Sequence, residues 1–544
     1  MENFGALNWG IVAAYLLGNL ALGWLMSRRV QSAEDYQLGD RSTPWWAIGI
    51  SVVATYVSAL SFLGGPAWAY GDGMAALAIH VNYPLVIFAV VVFFLPFFYN
   101  SGVASIYEYL ERRFGGTSRT VMAGLFLLTQ SITSASILTA TAVVITFVTG
   151  VDVRIAIVAM TLVVLVYTML GGMNAVIWTD VLQGVILFIG AGVVLWGLLN
   201  AVSPISGALD TLASEGKLNP IETDLDFSVP PTIWAGVFAM TLFHITVYGT
   251  NQMMVQRALA AKSLGDAKKS YLMMGYGAFF IYFLFFFIGA LLYVQFEGRP
   301  FEQPNEIILV FANSLALPGL MGLLAAAVLS ASMSSLSSAL NSMATISVVG
   351  FYERFYAKSA SPSESLLASR IFTVVWAAAA IPIAFVFVGS GGSILEELSR
   401  VASFFVGAKL AMFGMGFFSK HTTEDGLLIG VGAGFVGLYI LVAGIPFVDW
   451  TPPAIAWPWY VVVGGAINIA VSWTASVVLN GFQPEWHVQT VPGQRTFFRE
   501  GLLAEKQEGW YLVPGRVDQI CWWLLIYFIA IIGFLMLFAG LGRA

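Results

Sequence analysis

Residues 44–69 read PWWAIGISVVATYVSALSFLGGPAWA, a run apolar enough to cross a bilayer as one helix, yet Gly64, Gly65 and Pro66 stand side by side within it. A spanning helix needs about 20 mainly apolar residues. Proline inside it removes a hydrogen bond and clashes with the preceding turn. The segment SALSFLGGP (58–66) therefore reads as an interruption in a spanning helix. A second interruption is expected in FHITVYGTN (243–251), around Gly249, with five spans between the two. Breaks at matching places in two halves point to a transporter's ion and solute site, because unwound backbone frees carbonyls and amides there. Glycine and proline are also commoner in membrane helices than in soluble ones; the matched spacing favours the first reading.

Composition agrees with a membrane setting. Of 544 residues, 58% are apolar and 10% charged, against about 25% charged in soluble domains. Apolar runs recur along the whole chain, near 6–26, 44–69, 76–99, 118–149, 153–172, 177–200, 231–252, 270–295, 318–347, 366–391, 394–419, 425–447, 457–480 and 518–540. This predicts an all-α polytopic membrane protein with about fourteen spans, not a β-barrel, whose strands would alternate in ten-residue segments. The N-terminal stretch lacks a basic region and a small-residue cleavage site, and reads as a retained span. A single cysteine, Cys521, excludes an intrachain disulfide and a cysteine-based metal cluster. No basic run suggests nucleic acid.

Loop charge alternates. Arg28, Arg29 and Arg41 follow the first span, Arg112, Arg113 and Arg119 the third, Arg257, Lys262, Lys268 and Lys269 the seventh, and Arg354 and Lys358 the ninth; Arg495, Arg499, Lys506 and Arg516 precede the last. Loops of the other parity hold Arg154, Lys217, Arg299 and Arg543. The positive-inside rule then predicts both termini outside a cell membrane. The two long loops, 201–230 outside and 481–517 inside, are polar and too small for separate domains.

The segment SASMSSLSSALNSMATIS (330–347) carries hydroxyls at membrane depth. On a helix Ser334, Ser337, Ser338, Asn341 and Thr345 share one face, with Ala331 and Ser335 beside it. Small residues allow close helix packing, and serine can bond the carbonyl one turn back. Paired serines also offer several neutral oxygens at one depth, suited to a hard cation such as Na⁺. Asp180, in GGMNAVIWTDVLQ (171–183), is an intramembrane carboxylate and so a functional candidate, or else a helix N-terminal cap.

Five stretches together resemble the sodium:solute symporters across nearly the whole chain: DYQLGDRSTPWWAIGISVVATYVSALSFLGGPAWAYG (35–71), ASIYEYLERRFG (104–115), GGMNAVIWTDVLQ (171–183), YGTNQMMVQRALAAKS (248–263) and LAAAVLSASMSSLSSALNSMATIS (324–347). The resemblance implies a leucine-transporter-like fold of two inverted five-helix repeats, 44–200 and 231–419. Before them come a leading helix and loop (1–43); the loop 201–230 separates them, and three trailing helices (420–544) follow. It places a main sodium site on the carbonyls of Ala54, Val57 and Ala331 and the hydroxyls of Ser334 and Ser335. A second site, present in part of the family, maps to Asp180, Ser334, Ser337 and Ser338. Solute positions map to Ser58, Ser61, His80, Tyr83, Thr133, His244, Tyr248 and Ser399.

The chain looks nearer to the sialic-acid, vitamin, monocarboxylate and iodide branches than to the proline branch, which places an aspartate where Tyr56 stands. The sialic-acid branch places an arginine at Thr133, so its bidentate carboxylate clamp is missing here. Lys409, in FFVGAKLAMF (404–413), stands where the family usually has a small residue or proline. It is read as snorkelling, as a solute counter-ion or as a replacement for a bound cation. Glu396 and Arg400 lie one turn apart and are read as a local pair. The expected activity is Na⁺-coupled import of a small polar organic solute, a sugar, polyol or monocarboxylate, by alternating access. Na⁺ is the coupling ion, no organic cofactor is expected, and the chain works as a monomer in lipid. A channel or solute sensor of the same fold is the alternative. An intramembrane hydrolase is disfavoured, since no G-x-S-x-G or H-E-x-x-H motif occurs.

Overall fold

A computed structural model describes residues 4–388, 394–445, 448 and 450–540, with the side chains of 394–401 left out. Among the described residues ten helices are long and apolar enough to cross a membrane, and three shorter apolar ones, Trp45–Tyr56, Ala235–Gly249 and Ala402–Phe418, accompany them. Among the described residues the only strands, Lys506–Gln507 and Trp510–Tyr511, form a small antiparallel hairpin.

Two helical runs are too long for one crossing. Val153–Ala201 has 49 residues, or about 74 Å at 1.5 Å per residue, against a hydrocarbon core of about 30 Å. It is broken at Gly172, with φ 53° and ψ −146°. An added Cβ there would lie 2.6 Å from the Tyr36 carbonyl oxygen and 2.9 Å from its Cα. Only glycine satisfies both constraints. Gly73 plays the same part in the run Leu60–Ser101, with φ +69° and the Lys217 carbonyl 2.5 Å from a Cβ position. Gly172→Ala is expected to cost about 1–3 kcal/mol from backbone strain alone, with the clash in addition. It should lower the melting temperature and monodisperse yield of the purified protein, whereas Gly124→Ala, with open space around it, should change neither.

The serine-rich helix Leu320–Ser347 is the most enclosed long element. Its most apolar window is 89% buried, and it packs against Ala6–Ser27, Trp45–Tyr56, Gly116–Thr149, Val153–Ala201 and Pro362–Phe387. Small side chains let five helices approach one, so its composition serves packing as well as chemistry.

Two sequence readings are corrected. First, the break in the 44–69 run lies at Val57–Ser58, at the start of the 58–66 segment rather than at its Gly-Gly-Pro step. Trp45–Tyr56 ends there, a π-helical turn Leu60–Gly64 follows, and Gly65–Asp72 continues as α-helix. Pro66 sits in the first turn of that last helix, where a missing N–H costs nothing. Second, Arg257 is not a loop cation. It lies on the short helix Gln252–Leu259, which folds back into the core, and it is fully buried. The second interruption falls where expected: Ala235–Gly249 stops, and Asn251 in extended conformation caps the next helix. The loop 481–517 contains the helix Val491–Glu500 and the hairpin. It is held to Leu264–Gln295 by Lys268, which donates to the Tyr511 carbonyl at 2.8 Å and to Asp518 at 2.6 Å.

Candidate ion and solute site

The break at Val57 leaves two carbonyls without their helical partners. In a continuous helix the Ser58 amide would donate to Ala54 and the Ser61 amide to Val57. Here Ser58 N donates to the Tyr56 oxygen at 2.9 Å, and Ser61 N to the Ser58 oxygen at 2.9 Å. Buried carbonyls normally find a donor, so the Ala54 and Val57 oxygens are available to a cation. Ser335 faces them across the helix interface: its hydroxyl donates to the Thr55 oxygen at 2.8 Å and to the Ala331 oxygen at 3.3 Å. Of the five residues expected at the main sodium site, Ser335 bonds Ala331 on its own helix and reaches Thr55, which stands between Ala54 and Val57 in the chain. The fifth, Ser334, turns its hydroxyl to Asp180 Oδ1 at 2.6 Å.

Asp180 sits in a dense polar knot. Besides Ser334, it accepts from Ser51 at 2.5 Å and Thr55 at 3.2 Å, and Arg257 Nη2 lies 3.0 Å from its Oδ2 with both side chains fully buried. It does not cap a helix end, because these bonds all come from side chains of other helices. Arg257 also donates to Ser51 at 2.7 Å and to Ser338. The second sodium set is therefore gathered in part. Asp180, Ser334 and Ser338 share one locus, a guanidinium stands in it, and Ser337 bonds the Ser334 carbonyl at 3.1 Å. Lower on the same face, Asn341 and Thr345 each accept from Gln256 at 3.0 Å. The hydroxyl face thus divides into an end that meets Asp180 and the Thr55 carbonyl and a polar seam that docks the Gln252–Leu259 helix.

Beside the break lies a cavity of about 250 Å³, lined by Thr55 and Ser335 of the ion locus and by the expected solute residues Ser58, Ser61, His80, Thr133 and His244. Tyr83 and Tyr248 stand behind its wall rather than in it. Tyr83 bonds His80 Nδ1 at 3.1 Å and stacks on His244 at 4.8 Å; Tyr248 packs on Tyr56 at 5.3 Å. His80 stacks on Tyr282 at 3.6 Å. Thr133 spends its hydroxyl on the Thr129 carbonyl. Ser399, Glu396 and Arg400 fall on the helix Ile394–Phe418, but their side chains are outside the described ones.

The state of His244 follows from Asn82. The Asn82 amide nitrogen is used on the Ile79 and Gly236 carbonyls, at 3.0 and 2.8 Å, so its oxygen accepts from His244 Nδ1 at 2.8 Å. The ring's proton is on Nδ1, and Nε2 keeps a lone pair with no partner. The sequence reading missed Gln130, Trp68, Tyr282 and Trp457, which also line the cavity. Apolar side chains at membrane depth carry no local signal that separates a cavity wall from a lipid face.

The family model described as "Sodium:solute symporter family" matches residues 36–434. The human sodium/iodide cotransporter is 29% identical over 443 residues, covering 79% of this chain and 69% of that protein. The sodium/sialic acid symporter of Proteus mirabilis is 28% identical, covering 79% and 88%; the sodium/glucose cotransporter of Vibrio parahaemolyticus is 29% identical, covering 81% and 86%. A solved Na⁺-coupled sialic acid symporter, substrate-bound and outward-open, superposes with a TM-score of 0.81 at 26% identity over 89% of this chain and 100% of that one. The nucleobase-cation-symport transporter Mhp1, in a closed conformation, gives 0.53 at 14% identity over 82% and 96%, a likeness of fold alone.

Proposed function

Because the chain belongs to the sodium:solute symporter family, we propose that Na⁺ binds between the Val57 break and Ser335 and drives import of a small polar organic solute through the adjoining cavity. The observation that carries this is the pair of carbonyls, Ala54 and Val57, left without their helical amides at the break, in a segment whose Thr55 takes the Ser335 hydroxyl and lines the solute cavity with it. A sodium there ties the Trp45–Tyr56 helix to Leu320–Ser347 and firms the cavity wall that both share. Coupling is thus a matter of common residues, Thr55 and Ser335, rather than of distant communication. No full charge belongs to this set, which suits an ion that must leave in every cycle. Each net positive charge carried inward gains about 2.3 kcal/mol per 100 mV in addition to the ion gradient. The test is uptake into proteoliposomes, with NaCl replaced by choline or potassium chloride; equal rates would end this reading.

The second set, Asp180 with Ser334, Ser337 and Ser338, takes an ion only in exchange for the Arg257 guanidinium, which already neutralises Asp180. With Arg257 in place one sodium moves per cycle, and the sodium Hill coefficient should be near one; a value of about 1.5 or more, midway between one ion and two, would count against this.

The proposal further takes the chain as fourteen crossings, counting the runs broken at Gly73 and Gly172 twice and joining Trp45–Tyr56 to the part before Gly73 as one crossing, with inverted repeats at 44–200 and 231–419. Both termini lie outside the cell membrane, and removing Arg257 from the inside loops leaves the charge bias standing. The transporter works as a monomer among lipids. At the solute end, His244 Nε2 offers a lone pair and His80 is held flat by Tyr282. His80→Ala and His244→Ala should each raise the half-saturating solute concentration by about fivefold or more, the scale of one lost hydrogen bond in a dry pocket. Unchanged affinity in both variants would displace the solute from this wall.

A further inference from the structure

Charged side chains at membrane depth are costly and are as a rule paired. Two of the buried cations here obey this: Arg257 lies on Asp180 and Lys268 on Asp518. Lys409 does not. It is carried on the helix Ile394–Phe418, is 8% exposed, and has no ion-pair or hydrogen-bond partner among the described residues. It lines the same cavity as His80, His244 and Ser335, and among the described residues no aspartate or glutamate lines that cavity. Among the described residues the only full charge in the cavity wall is thus positive, and none of them supplies it with a counter-charge. The same wall carries the aromatic side chains of Trp68, Phe243, Phe405 and Trp457.

We propose that Lys409 is the anion anchor of the solute site and that the solute is an organic monocarboxylate with an apolar or aromatic body. This rests on the symport reading above and narrows it. The carboxylate supplies the counter-charge that Lys409 lacks, the histidine and serine side chains serve as neutral hydrogen-bonding groups, and the aromatic wall takes the body. A neutral sugar would leave the lysine in the dry cavity without a partner. A dicarboxylate would bring a second negative charge with nothing cationic in the described wall to meet it. The nearby sodium adds positive potential, so ion and anion favour each other's binding.

The test uses the purified full-length chain in detergent and measures thermal shifts with NaCl or choline chloride. The probes are lactate, nicotinate, benzoate and phenylacetate, each beside its neutral amide. The expected result is that at least one carboxylate stabilises the wild-type protein in sodium while its amide does not. Lys409→Met should weaken that carboxylate at least tenfold and keep the shift produced by sodium alone, and Lys409→Arg should restore most of the affinity. The Lys409→Met protein without solute should melt no lower than the parent, since it loses an unpaired cation and no hydrogen bond or ion pair, and methionine keeps most of the apolar stem. Amides binding as well as acids, no probe binding, or wild-type affinity in Lys409→Met would each overturn the assignment to Lys409. Loss of the sodium-only shift in the wild-type protein would instead overturn the symport reading beneath it.

Discussion

Ser335→Ala is expected to raise the sodium concentration for half-maximal uptake by about tenfold or more, equivalent to about 1.4 kcal/mol, with little loss of folded protein. The reason is geometric. Ser335 is the hydroxyl that reaches the Thr55 carbonyl at 2.8 Å across the break. Its oxygen is a side-chain ligand that can turn from that carbonyl toward an ion held by Ala54, Val57 and Ala331. Removing it deletes one neutral ligand from a set with no charge to compensate. The folded state loses a single buried hydrogen bond, worth about 1 kcal/mol, so yield and sodium affinity should separate. Ser342→Ala is the control: it is buried on the same helix, and its hydroxyl bonds nothing in the structure. Sodium titrations of uptake into proteoliposomes at fixed solute would decide the matter. An unchanged sodium dependence in Ser335→Ala removes the main site from this interface.

The largest stability effect is expected at Arg257. Arg257→Met leaves Asp180 fully buried and without its cation, so that it must stay an unpaired charge or take up a proton, and breaking such a buried pair costs about 3–5 kcal/mol. The remaining donors, Ser51, Thr55 and Ser334, soften the loss but supply no charge. Adding Asp180→Asn removes the orphaned charge, so the double variant should recover most of the stability lost in Arg257→Met. Melting temperatures of the four proteins in the cycle give the coupling directly. Additive effects would mean that the two groups do not interact in the native protein. The same variants address stoichiometry: if the guanidinium closes the second ion locus, Asp180→Asn leaves the sodium Hill coefficient unchanged.

The two residues behind these predictions were legible to different degrees. Ser335 could be singled out because paired serines at membrane depth are a local pattern, and the resemblance carried by 324–347 assigned it a role. Arg257 was misplaced because a cation just after an apolar run looks like a loop residue until its partner is known. That partner, Asp180, is 77 residues away in the chain, and nothing in hydropathy links them. The break in the 44–69 run shows the same limit. Glycine and proline mark where a helix is easily broken, and here they fall in a π-turn and the first turn of the next helix. The actual break is at Val57, where Ser335 of another helix holds the Thr55 carbonyl.

The chain by itself determined its solvent, its helical class and its family. Those depend on apolar run length, on charge content and on motif order, all of which are local or additive along the sequence. The tertiary structure alone decided which carbonyls lose their amides, which buried charges find partners, and that Lys409 faces a cavity without one. Each of these depends on two or more segments distant in sequence meeting in a low-dielectric interior, where a few ångströms separate a neutralised charge from an exposed one.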